Sequence, residues 1–176
     1  LIIFAVDPGP VLFVQDRVGY LGRRFRVVKF RTMRVDAEKQ LEQYLAASDE
    51  NAAEWQANFK LRRDPRILPY IGNFLRRSSL DEVPQFLNVV RGEMSLVGPR
   101  PFPDYHMSIF DPEFRDLRTS VMPGLTGLWQ VECRSNGSIA EQERFDRSYI
   151  DSLSLRLDLL ILLRTVGVVV MGKGAK

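Results

Sequence analysis

Two stretches rich in Val and Phe, "PVLFVQDRV" (10–18) and "RFRVVKFRTM" (24–33), flank "GYLG" (19–22). β-Branched and aromatic residues on either side of a Gly-bearing turn predict a β-hairpin. Polar residues with spaced apolar ones then predict helix from Asp36 to about Asn58. "LRRDPRILPYIGNFLRR" (61–77) reads as a basic connection with two prolines. A helix is expected from about Asp81 to Arg91, with Val83, Phe86, Leu87 and Val90 on one face and Gly92 at its C-terminal cap. "VGPRPFPDY" (97–105) reads as a rigid turn, "DPEFRDLRTSV" (111–121) as a short helix and "MPGLTGLWQV" (122–131) as a loop leading to a strand. "SIAEQERFDRSYIDSL" (138–153) is helical in pattern. No repeat or clear linker divides the chain, so the expectation is one α+β domain over residues 1–176, mostly helical with a small β-hairpin.

Two apolar segments stand apart from this core. Leu1–Val6 precedes the break Asp7-Pro8-Gly9-Pro10 and lacks the form of a signal peptide. It reads as the end of a longer apolar segment, or as a short buried strand. "LRLDLLILLRTVGVVVMG" (155–172) is interrupted by Asp158 and Arg164. Its uninterrupted apolar runs fall short of the roughly 20 residues that cross a bilayer. An amphipathic helix at a membrane interface and a core helix are both compatible with it.

Charge sharpens the picture. The net charge is only +3, yet Arg17, Arg23, Arg24, Arg26, Lys29, Arg31 and Arg34 fall between Arg17 and Val35 with no acid among them. Such a patch attracts phosphates, nucleic acid or an anionic membrane. Nucleic acid is set aside: no helix-turn-helix, RNA-recognition or zinc motif is present, and aromatics do not interleave the basic run as stacking platforms would. The single cysteine, Cys133, excludes an internal disulfide and fits a reducing compartment. His106, the only histidine, has no Cys or His cluster near it in sequence and reads as a loop residue without a metal role. No Ser-His-Asp or zinc spacing appears.

The candidate chemistry lies in "RRSSLDEVPQFLNVVRGEMSLVGPRP" (76–101). Ser79 with Glu82 matches a capping box, and acids suit a first helical turn. Asp81 at a helix start would have its ionised, nucleophilic form stabilised. The same place welcomes phosphate. Arg76 and Arg77 precede the acidic pair, and Arg100 follows in a turn held by two prolines, where a guanidinium fork suits bidentate phosphate contact. Lys29 and Arg31 share a strand face by the two-residue period. Either an anionic partner or a solvated face accounts for them. "PGLTGLWQ" (123–130) lets backbone approach a ligand or is a plain turn.

Taken in order, "DPGPVLFVQDRVG", "FRVVKFRTM", "LRRSSLDEVPQFLNVVRGEMSLVGPRP", "PGLTGLWQV" and "YIDSLSLRLDLLILLRTV" resemble the successive motifs of the bacterial sugar transferases, the monotopic phosphoglycosyl transferases. The resemblance runs from Asp7 to about Val170. It implies transfer of a sugar 1-phosphate from a nucleotide diphosphate sugar, a UDP-hexose in the expectation, to a polyprenyl (undecaprenyl) phosphate. Nucleoside monophosphate leaves, and the product starts exopolysaccharide or O-antigen assembly. By the same resemblance Asp81 is the nucleophile and a ligand of Mg2+, and it forms a covalent phosphosugar intermediate. Glu82 assists as a base or by holding acceptor and metal shell. Lys29, Arg31, Arg76 and Arg100 surround the phosphates, Arg31 by motif only. The implied setting is the bacterial inner membrane, with the catalytic domain on the cytoplasmic side, a re-entrant helix upstream of Leu1 and an open oligomeric state. The insertion "LAASDENAAEWQANFKLRRDPR" (45–66) looks like the larger members. Where the family usually has Ser-Gly-Arg-Asn after "GLWQV", this chain has Glu132-Cys133-Arg134-Ser135-Asn136. A basic, non-enzymatic membrane-surface scaffold is the alternative, but it leaves Asp81-Glu82 beside Gly-Pro-Arg-Pro unexplained.

Overall fold

A computed structural model describes residues 2–58, 61, 63–133 and 138–171. Helices dominate, and the only sheets among the described residues are two pairs of strands. The hairpin forms as expected. β1 (Leu12–Val18) pairs antiparallel with β2 (Arg24–Phe30), with Phe13 opposite Lys29, Gln15 opposite Val27 and Arg17 opposite Phe25. Leu21 and Gly22 take positive φ in the connection. The second pair was not expected. β3 (Ser95–Val97) runs parallel to β4 (Gly124–Thr126), and the segment after β4 is the helix α8 (Leu128–Glu132) rather than a strand.

The N-terminal segment is α1 (Ile2–Val6), a helix and not a buried strand. The region expected as one helix after Asp36 is two, α2 (Ala37–Ala46) and α3 (Asp49–Asn58). The basic connection contains α4 (Ile71–Ser78), whose Gly72 packs against Thr32; a β-carbon there would stand 2.7 Å from the Thr32 carbonyl oxygen. The helix expected over 81–91 is a 3₁₀ turn, Leu80–Gln85, followed by α5 (Phe86–Val90). Gly92 ends α5 with φ +72, as its C-terminal position demands. His106 lies in α6 (Asp104–Met107), edge-on to Phe102, rather than in a loop. α7 (Pro112–Thr119) and α9 (Ile139–Asp151) form where expected, α9 behind a complete Ser138–Glu141 capping box. α10 (Leu155–Met171) closes the described chain.

Three small apolar clusters share the core. Ile3, Leu68 and Leu75 join α1 to α4; Phe102, Met107, Phe110 and Phe114 form a second; Val97, Tyr149 and Ile161 seat α9 and α10 on β3. Helix α10 is anchored by polar contacts too. Asp158 accepts from the Tyr149 hydroxyl at 2.9 Å, and the Thr165 and Thr126 hydroxyls bond at 2.8 Å. Its other face exposes Leu155, Leu159, Leu163 and Val166. Among the described residues no helix is long and apolar enough to cross a membrane.

The glycines of the "PGLTG" loop stand against the backbone of Gly98. A β-carbon on Gly124 would lie 2.1 Å from the Gly98 nitrogen. The parallel pair therefore closes only with glycine at that crossing, and this fixes the turn that carries Arg100.

Candidate active site

The acidic pair sits on an abrupt corner. α4 ends at Ser79, which adopts a left-handed conformation (φ 57, ψ 17) and starts the 3₁₀ turn at once. The expected capping box is absent: Ser79 makes no side-chain cap bond. Glu82 instead accepts from Lys29 Nζ at 2.7 Å and from both terminal nitrogens of Arg100. Two cations in a partly buried site bind a carboxylate more strongly than a neutral amide does, so the cap loses.

Each partner is brought in by a different element. β2 delivers Lys29, the 3₁₀ turn delivers Asp81 and Glu82, and the turn after β3 delivers Arg100. α4 delivers Arg76, whose Nε donates to the Thr32 hydroxyl at 3.0 Å. Asn88, fully buried, ties α5 to β2 by donating to the Arg26 carbonyl at 2.8 Å and to Glu93 at 2.6 Å. Behind Arg100 stands a buried ion pair: Arg118 Nε donates to Asp146 at 2.8 Å, and its Nη2 donates to the Arg100 carbonyl at 2.6 Å. The Arg118 guanidinium also lies 4.2 Å from the centre of the Phe102 ring.

The structure thus brings Asp81, Glu82, Lys29, Arg76 and Arg100 together, and it separates Arg31 from them. The expected shared strand face ends at Phe30, the last residue of β2. Arg31 is buried, donating to the Asp7 carboxylate and carbonyl, to the Pro10 carbonyl at 2.6 Å and to the Met33 carbonyl. These contacts hold the Asp-Pro-Gly-Pro turn to the hairpin and engage the Arg31 guanidinium with Asp7 and backbone carbonyls. Sequence reasoning missed Asn88, Arg118 and Asp146. Only Asn88 left a trace, as a polar residue inside the apolar run "FLNVV".

The two carboxylates differ in electrostatic state. Arg100 and Lys29 hold Glu82 far below the usual carboxylate range despite its burial, so it stays ionised and is a weak base. Burial first, then the charge of Glu82, push Asp81 upward; Lys29, Arg100 and Arg76 offset this only in part. Asp81 lies in the first turn of the 3₁₀ segment, at a helical start as expected, but burial and Glu82 raise its carboxyl rather than leaving the anion favoured. In the protein free of donor and metal, NMR of the Asp81 carboxyl carbon should give a midpoint above 3.8, the ordinary aspartate value. Lys29→Met removes an opposing cation and should raise it further. A midpoint at or below 3.8, unmoved by Lys29→Met, contradicts this electrostatic account.

Asp81 accepts no hydrogen bond from the described residues, so its oxygens remain available. Among those residues no group of three or more His, Cys, Asp or Glu side chains could hold a metal. A hard cation here would have Asp81 as its protein ligand and need phosphate or water oxygens for the rest, the pattern common for magnesium.

A profile of the bacterial sugar transferases matches residues 1–172. The chain belongs to the bacterial sugar transferase family. It is 44% identical over 99% of its length to a UDP-galactose-lipid carrier transferase of Erwinia amylovora, covering 37% of that protein. It is 40% identical over 96% of its length to the exopolysaccharide production protein ExoY of Rhizobium meliloti, covering 74% of it. An undecaprenyl-phosphate galactose phosphotransferase of Salmonella typhimurium is 40% identical over 96% of this chain, which spans 35% of that relative. The chain thus covers little more than a third of the Erwinia and Salmonella relatives, whereas it accounts for most of ExoY. Within this family member, Glu132 lies at the end of α8 and pairs with Arg164 of α10. Arg134, Ser135 and Asn136, which follow it in the departure from the family pattern, fall outside the described residues.

Proposed function

We propose that this chain is the catalytic unit of a phosphoglycosyl transferase that moves a sugar 1-phosphate from a nucleotide diphosphate sugar to undecaprenyl phosphate. The observation that carries the reading is the division of labour in the acidic pair. Glu82 fixes Lys29 and Arg100 beside an Asp81 carboxylate that accepts no hydrogen bond from the described residues. A nucleophilic anion can attack an anionic diphosphate only where cations lower the repulsion, and three surround this one.

In the first step an Asp81 oxygen attacks the sugar-bearing phosphorus. The bond from that phosphorus to the bridging oxygen breaks, and nucleoside monophosphate leaves with the electron pair. In the second step an oxygen of undecaprenyl phosphate attacks the same phosphorus and displaces the Asp81 carboxylate, leaving a polyprenyl diphosphate sugar. Lys29, Arg76 and Arg100 bind the phosphate oxygens. Glu82 serves as the anchor of two cations rather than as a base, in keeping with its depressed basicity. Magnesium, held by Asp81 with phosphate and water oxygens, would supply further charge neutralisation. The names of the Erwinia and Salmonella relatives support a UDP-hexose donor, galactose among the candidates, and the lipid acceptor.

The surface supports work at a membrane, and a nucleotide-sugar donor places the reaction on the cytoplasmic side of the inner membrane in this reading. Val83, Phe86, Leu87 and Val90 are exposed, while the polar Gln85 and Asn88 of the same segment are buried. Ile2, Phe4 and Val6 of α1 and the leucine stripe of α10 are exposed as well. A segment with polar groups inward and apolar groups outward suits a lipid interface.

The test is a single-turnover reaction of the full-length protein with donor and magnesium but no lipid. Stoichiometric nucleoside monophosphate release and a phosphosugar mass on the peptide containing Asp81 are expected. Nucleotide release that begins only on adding the lipid, with no adduct at any time, sinks the two-step reading.

A further inference from the structure

Arg17 is a cation beside the site that the proposed chemistry does not use. β1 ends one residue later, at Val18, whose backbone N–H donates to the Phe102 carbonyl at 2.8 Å. That bond brings the end of β1 against the Gly-Pro-Arg-Pro turn, two residues past Arg100. In the hairpin register, Arg17 and Gln15 of β1 share a face with Val27 and Lys29 of β2. Val27 is buried and Lys29 reaches Glu82, so this is the face turned toward the 3₁₀ turn. Arg17 is half-buried, and among the described residues its side chain is bonded only to the neutral Gln15 amide oxygen, at 2.6 Å. No carboxylate forms an ion pair with it there.

From this geometry we infer that Arg17 and Arg100 form a second phosphate subsite, which holds the nucleotide-side phosphate of the donor and keeps it as the leaving nucleoside monophosphate. The inference rests on the reading of Asp81 given above. Arg100 is shared electrostatically: its charge acts on both Asp81 and Arg17, and Glu82, which it holds, acts on Arg17 as well. In a diphosphate the two phosphorus atoms are joined through one oxygen. With the sugar-bearing phosphate at Asp81, Lys29 and Arg100, the adjacent phosphate falls on the Arg17 side of Arg100. The lipid phosphate is a poorer fit. It must reach the phosphorus held on Asp81, which is bordered by the exposed apolar residues of the 3₁₀ turn and α5. Arg17 lies instead at the closed end of the hairpin, near Tyr105. Burial first, then the like charge of Arg100, push the Arg17 guanidinium down to about 10, and Tyr105 and Glu82 offset this only in part.

The experiment compares the full-length wild type with Arg17→Gln and Arg17→Lys, using uridine 5′-monophosphate as product inhibitor and the UDP-hexose that turns over as donor. Arg17→Gln should weaken inhibition by uridine 5′-monophosphate about ten-fold or more, as loss of a charge-assisted hydrogen bond does. It should raise the donor KM in parallel, with the KM for the lipid phosphate and the thermal midpoint unchanged. Arg17→Lys should recover part of the inhibition, since it keeps the charge without the fork. Unchanged product inhibition in both variants overturns the subsite, as does a rise confined to the lipid KM. If Arg17→Gln does not fold, Arg17→Lys decides: wild-type inhibition and donor KM in that variant also overturn it. A wild type that releases no nucleotide and forms no Asp81 adduct instead removes the underlying reading, and the adduct measurement separates that failure from failure at Arg17.

Discussion

Asp81→Asn is expected to reduce sugar-phosphate transfer to background while leaving the fold intact. An amide is a poor nucleophile and a poor ligand for a hard cation. The fold should not suffer, because Asp81 accepts no hydrogen bond from the described residues and its ionised form is disfavoured by burial and by Glu82. Replacing it with a neutral isostere removes that repulsion, so the thermal midpoint should hold or rise slightly. The paired readouts are transfer to undecaprenyl phosphate and the midpoint of thermal unfolding. Retention of a tenth or more of wild-type transfer at an unchanged midpoint shows that another group attacks. Glu82→Gln should behave differently. It leaves Lys29 and Arg100 with a neutral partner in a partly buried site, so it should lose both activity and stability.

The largest effect on stability is expected at a residue remote from the chemistry. Asp146→Asn should destabilise the protein by about 3–5 kcal/mol, because it strands the buried Arg118 guanidinium without its counter-charge. Both side chains of this pair are almost completely buried, at 4% and 3% exposure. The denaturation midpoint in urea checks this. The double variant Arg118→Met with Asp146→Leu separates two roles of the pair. Apolar replacement of a whole buried pair is often neutral or stabilising, so much of the stability should return. Transfer should stay impaired, since the Arg100 carbonyl has lost the donor that fixes its turn. Full activity in the double variant means that Arg118 serves the fold alone.

The relation between the two predictions follows from how the site is built. Asp81 and Glu82 are adjacent in the chain, yet the cations that hold Glu82 ionised come from far away in sequence. Lys29 is 53 residues from Glu82 and Arg100 is 18 residues from it. Arg118, another 18 residues beyond Arg100, holds the backbone that aims it. The rigid glycine crossing of β3 and β4 and the prolines around Arg100 serve the same end. They order the guanidinium before any phosphate arrives, so less conformational freedom is lost on binding.

By itself the sequence determined the local, short-range features. The hairpin follows from Val and Phe placed about a Gly-bearing turn, the helix after Ser138 from its residue pattern, and the end of α5 from Gly92. Motif order also made Asp81, Glu82, Lys29, Arg76 and Arg100 legible as one constellation. The tertiary structure decided what depends on competition between distant partners. Ser79 and Glu82 have the spacing of a capping box, but Lys29 and Arg100 outbid the backbone for the carboxylate. Arg31 has the strand period of Lys29, but its position just past β2 turns it onto Asp7 and Pro10. Val83, Phe86, Leu87 and Val90 have the period of a core-facing helix, but the side of the chain that packs against β2 is the one carrying Asn88. Periodicity identifies which residues share a face. Which way that face points depends on what the rest of the chain offers it, and here β2 offers unpaired backbone groups that only a buried polar residue can satisfy.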